Sequence, residues 1–278
     1  MKITFLGGGN MASALIGGLR KQGYSTAAIQ VVEPQAELRE RLTHDLGVRC
    51  SPVVDAAALH CDVLVLAVKP QQMQEALAPL RGEFAGQLQQ QLVISIAAGL
   101  HLEDLSRWLG GHRQLVRCMP NTPALIGAGI TGLYADASVG REGRNQATKV
   151  LTAVGQTLWV DTEAALDAVT AISGSGPAYV FYFIEALQQA GCELGLSDDT
   201  ARQLALQTFV GASQLAQQST EPVSELRHKV TSKGGTTAAA LDSFAKDQIA
   251  SAILRAARAA AERGQQMALE MGRDAPAC

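Results

Sequence analysis

Phe5-Leu6-Gly7-Gly8-Gly9-Asn10-Met11-Ala12 stands between a short β-type run, Ile3–Leu6, and a pattern in which Met11, Leu15, Ile16 and Leu19 recur at helical spacing. Gly7, Gly9 and Ala12 match G-x-G-x-x-A, the strand-to-helix loop of a dinucleotide-binding fold. Each position has a steric reason. The first glycine turns the chain, the second lets the backbone approach a pyrophosphate, and the small third residue lets helix pack on strand. An ordinary tight turn is the bland reading of three glycines, and their place between strand and helix weighs against it. A secretory signal, which Lys2, the apolar run and Ala12-Ser13-Ala14 imitate, is the less expected reading, because Gly7-Gly8-Gly9 falls where its helix should run.

Outward from this loop, β-rich runs alternate with helical patterns to about Val160. They are Ile29–Val32, Val63–Ala67, Leu92–Ile96 and Leu115–Cys118, with later ones near Gly129–Leu133 and Thr157–Val160. The alternation predicts an α/β fold, a parallel sheet with crossover helices. Val63-Leu64-Val65-Leu66-Ala67-Val68 is apolar on both faces, as a strand covered on each side must be. After Asp161 the strand signals stop. Pro177 suits the first turn of a helix running to about Gly195, Ser197-Asp198-Asp199 offers caps for the next, and an alanine-rich run extends from about Asp247 to Glu270. The expected organisation is an N-terminal Rossmann domain, 1–160, and a C-terminal all-helical domain, 161–278, whose apolar faces complete a core against a second copy.

With 278 residues there is ample chain for two domains. A net charge of −3 disfavours nucleic acid as a partner, and no stretch approaches the length of a membrane span. Five cysteines (Cys50, Cys61, Cys118, Cys192 and Cys278) are odd in number and without C-x-x-C spacing, as expected of reduced thiols in a cytoplasmic protein. The five histidines form no ligand pairing, so no metal is expected.

Several segments carry candidate chemistry. Glu33 ends the second run, 24 residues past Gly9, where an acid accepts from a ribose 2′-OH and disfavours a 2′-phosphate; a solvated surface glutamate is the alternative. Lys69-Pro70, Ala97-Ala98-Gly99 and Met119-Pro120-Asn121-Thr122-Pro123 close strands at one sheet edge; each alone reads equally as a strand-to-loop turn, and three converging ends make a nicotinamide pocket the better reading. Ser173-Gly174-Ser175-Gly176 is not G-x-S-x-G and has no histidine between His112 and His228 as its base, so capping and close helix approach explain it better than a nucleophile. Thr231-Ser232-Lys233-Gly234-Gly235-Thr236-Thr237 describes a loop feeding a helix N-terminus, a place suited to a small carboxylate.

Together these residues resemble the pyrroline-5-carboxylate reductase family over essentially the whole chain. The resemblance rests on Phe5 to Met11, Ala67-Val68-Lys69-Pro70, Arg117 to Pro123, Ser173 to Tyr179 and Gly234-Gly235-Thr236-Thr237, the last two being the most specific. It implies reduction of a cyclic imine carboxylate to L-proline, the last step of proline biosynthesis, by NADPH or NADH. It also implies an interlocked homodimer, in some members built into larger rings of dimers. Carried onto this sequence, cofactor contacts fall on Leu6, Gly7, Gly8, Gly9, Asn10, Met11, Glu33, Ala67, Val68, Lys69, Pro70, Ala97, Asn121 and Thr122. Substrate contacts fall on Ser232, Gly234, Gly235, Thr236 and Thr237, with the Thr237 hydroxyl expected at the imine nitrogen. Two departures stand out: Lys233 where relatives often carry proline, and Val54 where many carry asparagine near the adenosine.

A β-hydroxyacid dehydrogenase shares this plan but resembles enzymes with a catalytic lysine early in the second domain, and none lies between Lys149 and Lys229 here. A non-catalytic nucleotide sensor is the third reading, and the intact Gly-Gly-Thr-Thr run speaks against it. Both cofactors are expected to work, with NADH modestly favoured by Glu33.

Overall fold

The computed structural model describes residues 1–88 and 91–272, which leaves Cys278 outside the described residues. Eight strands form one sheet: β1 (Ile3–Leu6), β2 (Ile29–Val32), β3 (Arg49–Ser51), β4 (Val63–Leu66), β5 (Leu92–Ser95), β6 (Leu115–Met119), β7 (Gly129–Ala135) and β8 (Gly155–Trp159). Their order is β3-β2-β1-β4-β5-β6-β7-β8. The order reverses between β1 and β4, so the glycine loop after β1 opens at the topological switch point, where open α/β sheets bind ligands.

The helices of this part are α1 (Asn10–Lys21), α2 (Ala36–Leu46), α3 (Ala56–Leu59), α4 (Met73–Arg81), α5 (Leu102–Trp108), α6 (Arg141–Leu151) and α7 (Ala165–Val169). One face of the sheet packs Phe5, Val63, Val65 and Ile94 with Leu15, Ile16 and Leu19 of α1 and Val150 of α6. The other packs Leu64, Leu66 and Val93 with Met73 and Leu77 of α4 and Leu105 and Trp108 of α5. Alternate residues of β4 thus enter opposite cores, which is why its sequence is apolar throughout.

The short edge strand β3 and the direction of β7 differ from the sequence expectation. β7 runs antiparallel to β6, pairing Cys118 with Leu133. Only 120–128 join the two strands, too short for the dozen-residue crossover that a parallel return needs. The described chain packs as one compact unit of Met1–Ser175 with residues 260–272 and another of Gly176–Ala259. α7 belongs with the sheet because Val169 and Leu166 fill the space over Gly132 on β7. Residues 260–272 belong there too, with Ala268 buried and Met267 lying against Gly99.

The second unit holds α8 (Gly176–Glu193), α9 (Asp198–Gln218), α10 (Val223–Lys229) and α11 (Thr236–Lys246); α12 (Ile249–Met271) begins in it and ends in the first. Ser197 caps α9, its Oγ accepting from Thr200 N–H at 3.3 Å. No helix among the described residues is long and apolar enough to cross a membrane.

Within Gly176–Ala259 only Ala201 and Ala205 are buried, whereas Phe181 (66%), Tyr182 (68%), Leu204 (54%) and Leu215 (59%) stand exposed. A set of helices this apolar does not normally face water. Sedimentation of the purified chain at micromolar concentration is therefore expected to show a dimer, with an interface well above about 2,000 Å², the range of obligate pairs. A folded, active monomer would remove this expectation.

Candidate active site

The expected nucleotide residues do converge on one edge. Leu6 on β1 lies opposite Val32 on β2 and Leu66 on β4, and Leu66 lies opposite Ser95 on β5. Backbone bonds carry the register one step further, Gly7 N–H to Val32 C=O at 2.8 Å and Ala67 N–H to Leu6 C=O at 2.8 Å. Gly7, Glu33, Ala67 and Ala97 therefore line the carboxyl edge. Gly7 has φ +100° and a Cβ on it would sit 2.7 Å from Ala67 O, so the turn admits only glycine.

The loop also shows which amides remain for an anion. Gly7 and Gly8 N–H are occupied, the second by Glu33 Oε2 at 2.9 Å. Ser13 N–H closes the first α1 bond onto Gly9 C=O, which leaves Asn10, Met11 and Ala12 presenting their N–H groups ahead of the helix. No side chain caps this end and no acid lies in its first turn. A Cβ on Gly9 would meet nothing within 4 Å, so there is open room beside these amides for a phosphate. The residues present fit a dinucleotide pyrophosphate.

Glu33 is neither solvated nor simply aimed outward. It is 6% exposed; Oε2 accepts from Gly8 and Oε1 accepts from Gln35 N–H at 2.9 Å. The carboxylate braces the glycine loop, and its remaining lone pairs are what it can offer a ribose hydroxyl. Arg39 lies alongside, Nη1 donating to Glu33 C=O at 2.8 Å and Pro34 C=O at 2.7 Å. Val54 packs on the core beneath α3 to α5.

Farther along the edge, Lys69 is exposed and precedes a 3-10 turn, Pro70–Gln72, while Ala97 is buried with its N–H on Ser95 Oγ at 3.3 Å. Thr122 is exposed at the start of the 3-10 turn Thr122–Ile126. Asn121 differs: its amide is taken up on both sides by protein groups, Ile130 N–H and Ser173 C=O. No sequence spacing announced that contact, nor the charge cluster behind it. Arg117 on β6, its side chain 4% exposed, pairs with Glu163 at 3.1 Å and Asp167 at 3.5 Å. Glu163 also accepts from Leu102 N–H, and His101 lies 3.5 Å away. The hydrogen bond to Glu163 raises the His101 pKa. Burial pushes the Glu163 pKa up, but bonds from His101 and Leu102 and the Arg117 charge outweigh it, and the net shift is downward. Cys118 is buried, and burial pushes its thiol pKa up, away from thiolate character.

In the second unit, Gly235 N–H donates to Ser232 C=O at 3.0 Å and Gly234 has φ +72°. This closes a β-turn with Lys233 and Gly234 at its centre, the left-handed third position requiring glycine as in a type II turn. Ser232 folds beneath Gly235, where a Cβ would lie 2.5 Å from its Oγ. Gly235 is the N-cap of α11, without a side-chain bond and without an acid in the first turn. Ala239 N–H makes the first helical bond to Gly235 C=O, so Thr236, Thr237 and Ala238 present the available amides. Thr237 is half-buried and Thr236 exposed.

Replacing Glu33 by serine deprives a buried Gly8 N–H of its acceptor, a loss of about 1–3 kcal/mol. Titration of Glu33→Ser is expected to show weaker binding of both NADH and NADPH, with the ratio moved toward NADPH. Equal losses for the two would confine Glu33 to bracing the loop.

Comparison with known proteins completes the picture. The family model "Pyrroline-5-carboxylate reductase dimerisation" matches residues 163–267, and "NADP oxidoreductase coenzyme F420-dependent" matches residues 2–99. The chain is 46% identical to a pyrroline-5-carboxylate reductase of Pseudomonas aeruginosa, over 98% of each protein. It is 44% identical to that of Pasteurella multocida, over 95% of this chain and 97% of the relative. A solved Coxiella burnetii pyrroline-5-carboxylate reductase superposes with TM-score 0.90 at 38% identity, covering 96% of this chain and 98% of that one. A Plasmodium falciparum pyrroline carboxylate reductase with NADP bound superposes with TM-score 0.83 at 31% identity over the same shares. With relatives this similar along nearly its whole length, the chain belongs to the pyrroline-5-carboxylate reductase family.

Proposed function

We propose residue roles for the reduction of 1-pyrroline-5-carboxylate to L-proline by NAD(P)H, the last step of proline biosynthesis and the activity of this family. The observation that carries the roles is the pair of glycine-capped helix ends, α1 and α11, each presenting uncompensated amides to an anion. When bound, the nicotinamide cofactor supplies the hydride.

The amides of Asn10 and Met11 hold the pyrophosphate, with Gly9 leaving room for it. Leu6, Gly7, Gly8, Ala67, Val68 and the Lys69-Pro70 turn shape the edge on which the dinucleotide lies. Ala97 and Thr122 border the nicotinamide end. The substrate carboxylate docks on the N–H groups of Thr236 and Thr237, at the positive end of the α11 dipole, with Ser232, Gly234 and Gly235 fixing the turn that exposes them. The half-buried Thr237 hydroxyl orients the imine nitrogen. A threonine hydroxyl is a poor acid, so it directs or relays a proton rather than supplying one unaided. Most of the acceleration is then alignment of bound reactants, which contributes roughly 7–11 kcal/mol in well-oriented systems.

The helical unit pairs two chains in this reading, and light scattering separates a dimer from a larger ring of dimers. The cytoplasm is the compartment that the cysteines support, those among the described residues being unpaired. Oxidation of NADPH and of NADH, followed with pyrroline-5-carboxylate in parallel assays, tests the reaction itself.

Thr237→Ala removes one hydroxyl and leaves the backbone donors, so kcat/KM is expected to fall about 10- to 150-fold, the equivalent of 1.5–3 kcal/mol. Thr236→Ala should cost less. Wild-type kinetics in folded Thr237→Ala would leave orientation to the backbone alone.

Lys233 occupies the second position of the turn, which proline favours. Lys233→Pro is expected to raise the melting temperature, since a compatible proline adds about 0.4–1 kcal/mol of stability. Loss of the cation should also raise KM for the carboxylate substrate, more at low salt than at high, because screening acts beyond about 10 Å at 0.1 M. A KM insensitive to salt and substitution would leave Lys233 a solvated surface residue.

A further inference from the structure

Pro120 and Asn121 follow Met119, the last residue of β6, at the ligand edge, yet Asn121 turns its amide onto protein groups and is 9% exposed. Its Oδ1 accepts from Ile130 N–H on β7 at 2.9 Å. Its Nδ2 donates to Ser173 C=O at 3.1 Å, 52 residues away in sequence. That carbonyl belongs to a π-helical turn, Thr170–Gly174, closed by Ser175 N–H donating to Thr170 C=O at 2.8 Å. Met119 grips the same turn by packing, since a Cβ on Gly174 would lie 2.5 Å from Met119 Cε. An amide with a donor facing its oxygen and an acceptor facing its nitrogen has one satisfied orientation. π turns are rare and persist where surrounding contacts over-determine them.

We propose that Asn121 is a positioning residue and not a cofactor ligand. It locks the loop of residues 120–126 onto the Thr170–Gly174 turn and so fixes the nicotinamide end of the edge. The Ser173-Gly174 pair acquires its purpose here: Ser173 supplies the carbonyl and Gly174 the space. This inference rests on the nicotinamide lying at that end, as in the functional reading above.

Asn121→Asp separates the two bonds, because one oxygen still accepts from Ile130 while the other faces the Ser173 carbonyl as a second acceptor. Hydrogen exchange is measured on the full-length protein without cofactor. The Ser175 amide is expected to exchange at least about tenfold faster while Ile130 changes less than about threefold, as follows if only one hydrogen bond is lost. NADPH affinity, read by nicotinamide fluorescence, should stay within about threefold, while kcat falls at least about tenfold and KM for the imine changes little. Gly174→Ala, which crowds the flexible end of Met119, should give the same signature and serves if the aspartate variant does not fold. A loss of NADPH affinity matching the loss of kcat/KM would make Asn121 a ligand and overturn the proposal. Unchanged Ser175 exchange and unchanged kcat in both folded variants would overturn it as well. If the wild-type protein reduces no imine, the functional reading fails while the exchange rates still decide whether the lock exists.

Discussion

Parallel pairing places Val32, Leu6 and Leu66 at one level, and everything that follows these strands depends on that level. Because neighbouring parallel strands end together, the loops after β1, β2, β4 and β5 all emerge on the same edge. The edge is polar in a restricted sense. Its N–H groups mostly donate to carbonyls of the neighbouring strands or to the Glu33 carboxylate, so few are left over, at the start of α1. A helix begun by glycine without a capping side chain tolerates this because an anion can do what a cap does elsewhere. Helix α11, in the other unit and after an unrelated loop, also begins at a glycine without a capping side chain.

What the sequence made legible follows from what burial and periodicity encode. β4 was readable because a strand covered on both faces must be apolar at every position, and α1 because Leu15, Ile16 and Leu19 keep one face. β3 was not, being three residues, Arg49 to Ser51, at the sheet edge with Arg49 exposed. The β7 run was visible, but its direction was not, since direction is set by the length of the connection. The break after residue 160 marks where strands stop; packing continues through α7 to Ser175 because Leu166 and Val169 fill the space over β7.

The candidate site shows the same limit at finer scale. The identities of Glu33 and Asn121 marked them as residues of interest, but identity says nothing about which way a side chain turns. Glu33 bends back onto Gly8, and Asn121 onto Ser173. In both cases a residue at the ligand edge spends its polar atoms on backbone groups that neighbouring residues bring to it. The Gly-Gly-Thr-Thr run was easier, because its chemistry resides in backbone amides whose direction follows from the turn and helix alone.

The scarcity of interior in Gly176–Ala259 has a further consequence. Two alanines make no core, so these helices draw their stability from whatever covers their outer faces. Where that cover is a second copy, folding and association become one equilibrium, and the melting temperature becomes a function of protein concentration. Dilution then acts as a denaturant. A substitution on the exposed side of α8 would then register as a lower melting temperature at a given protein concentration.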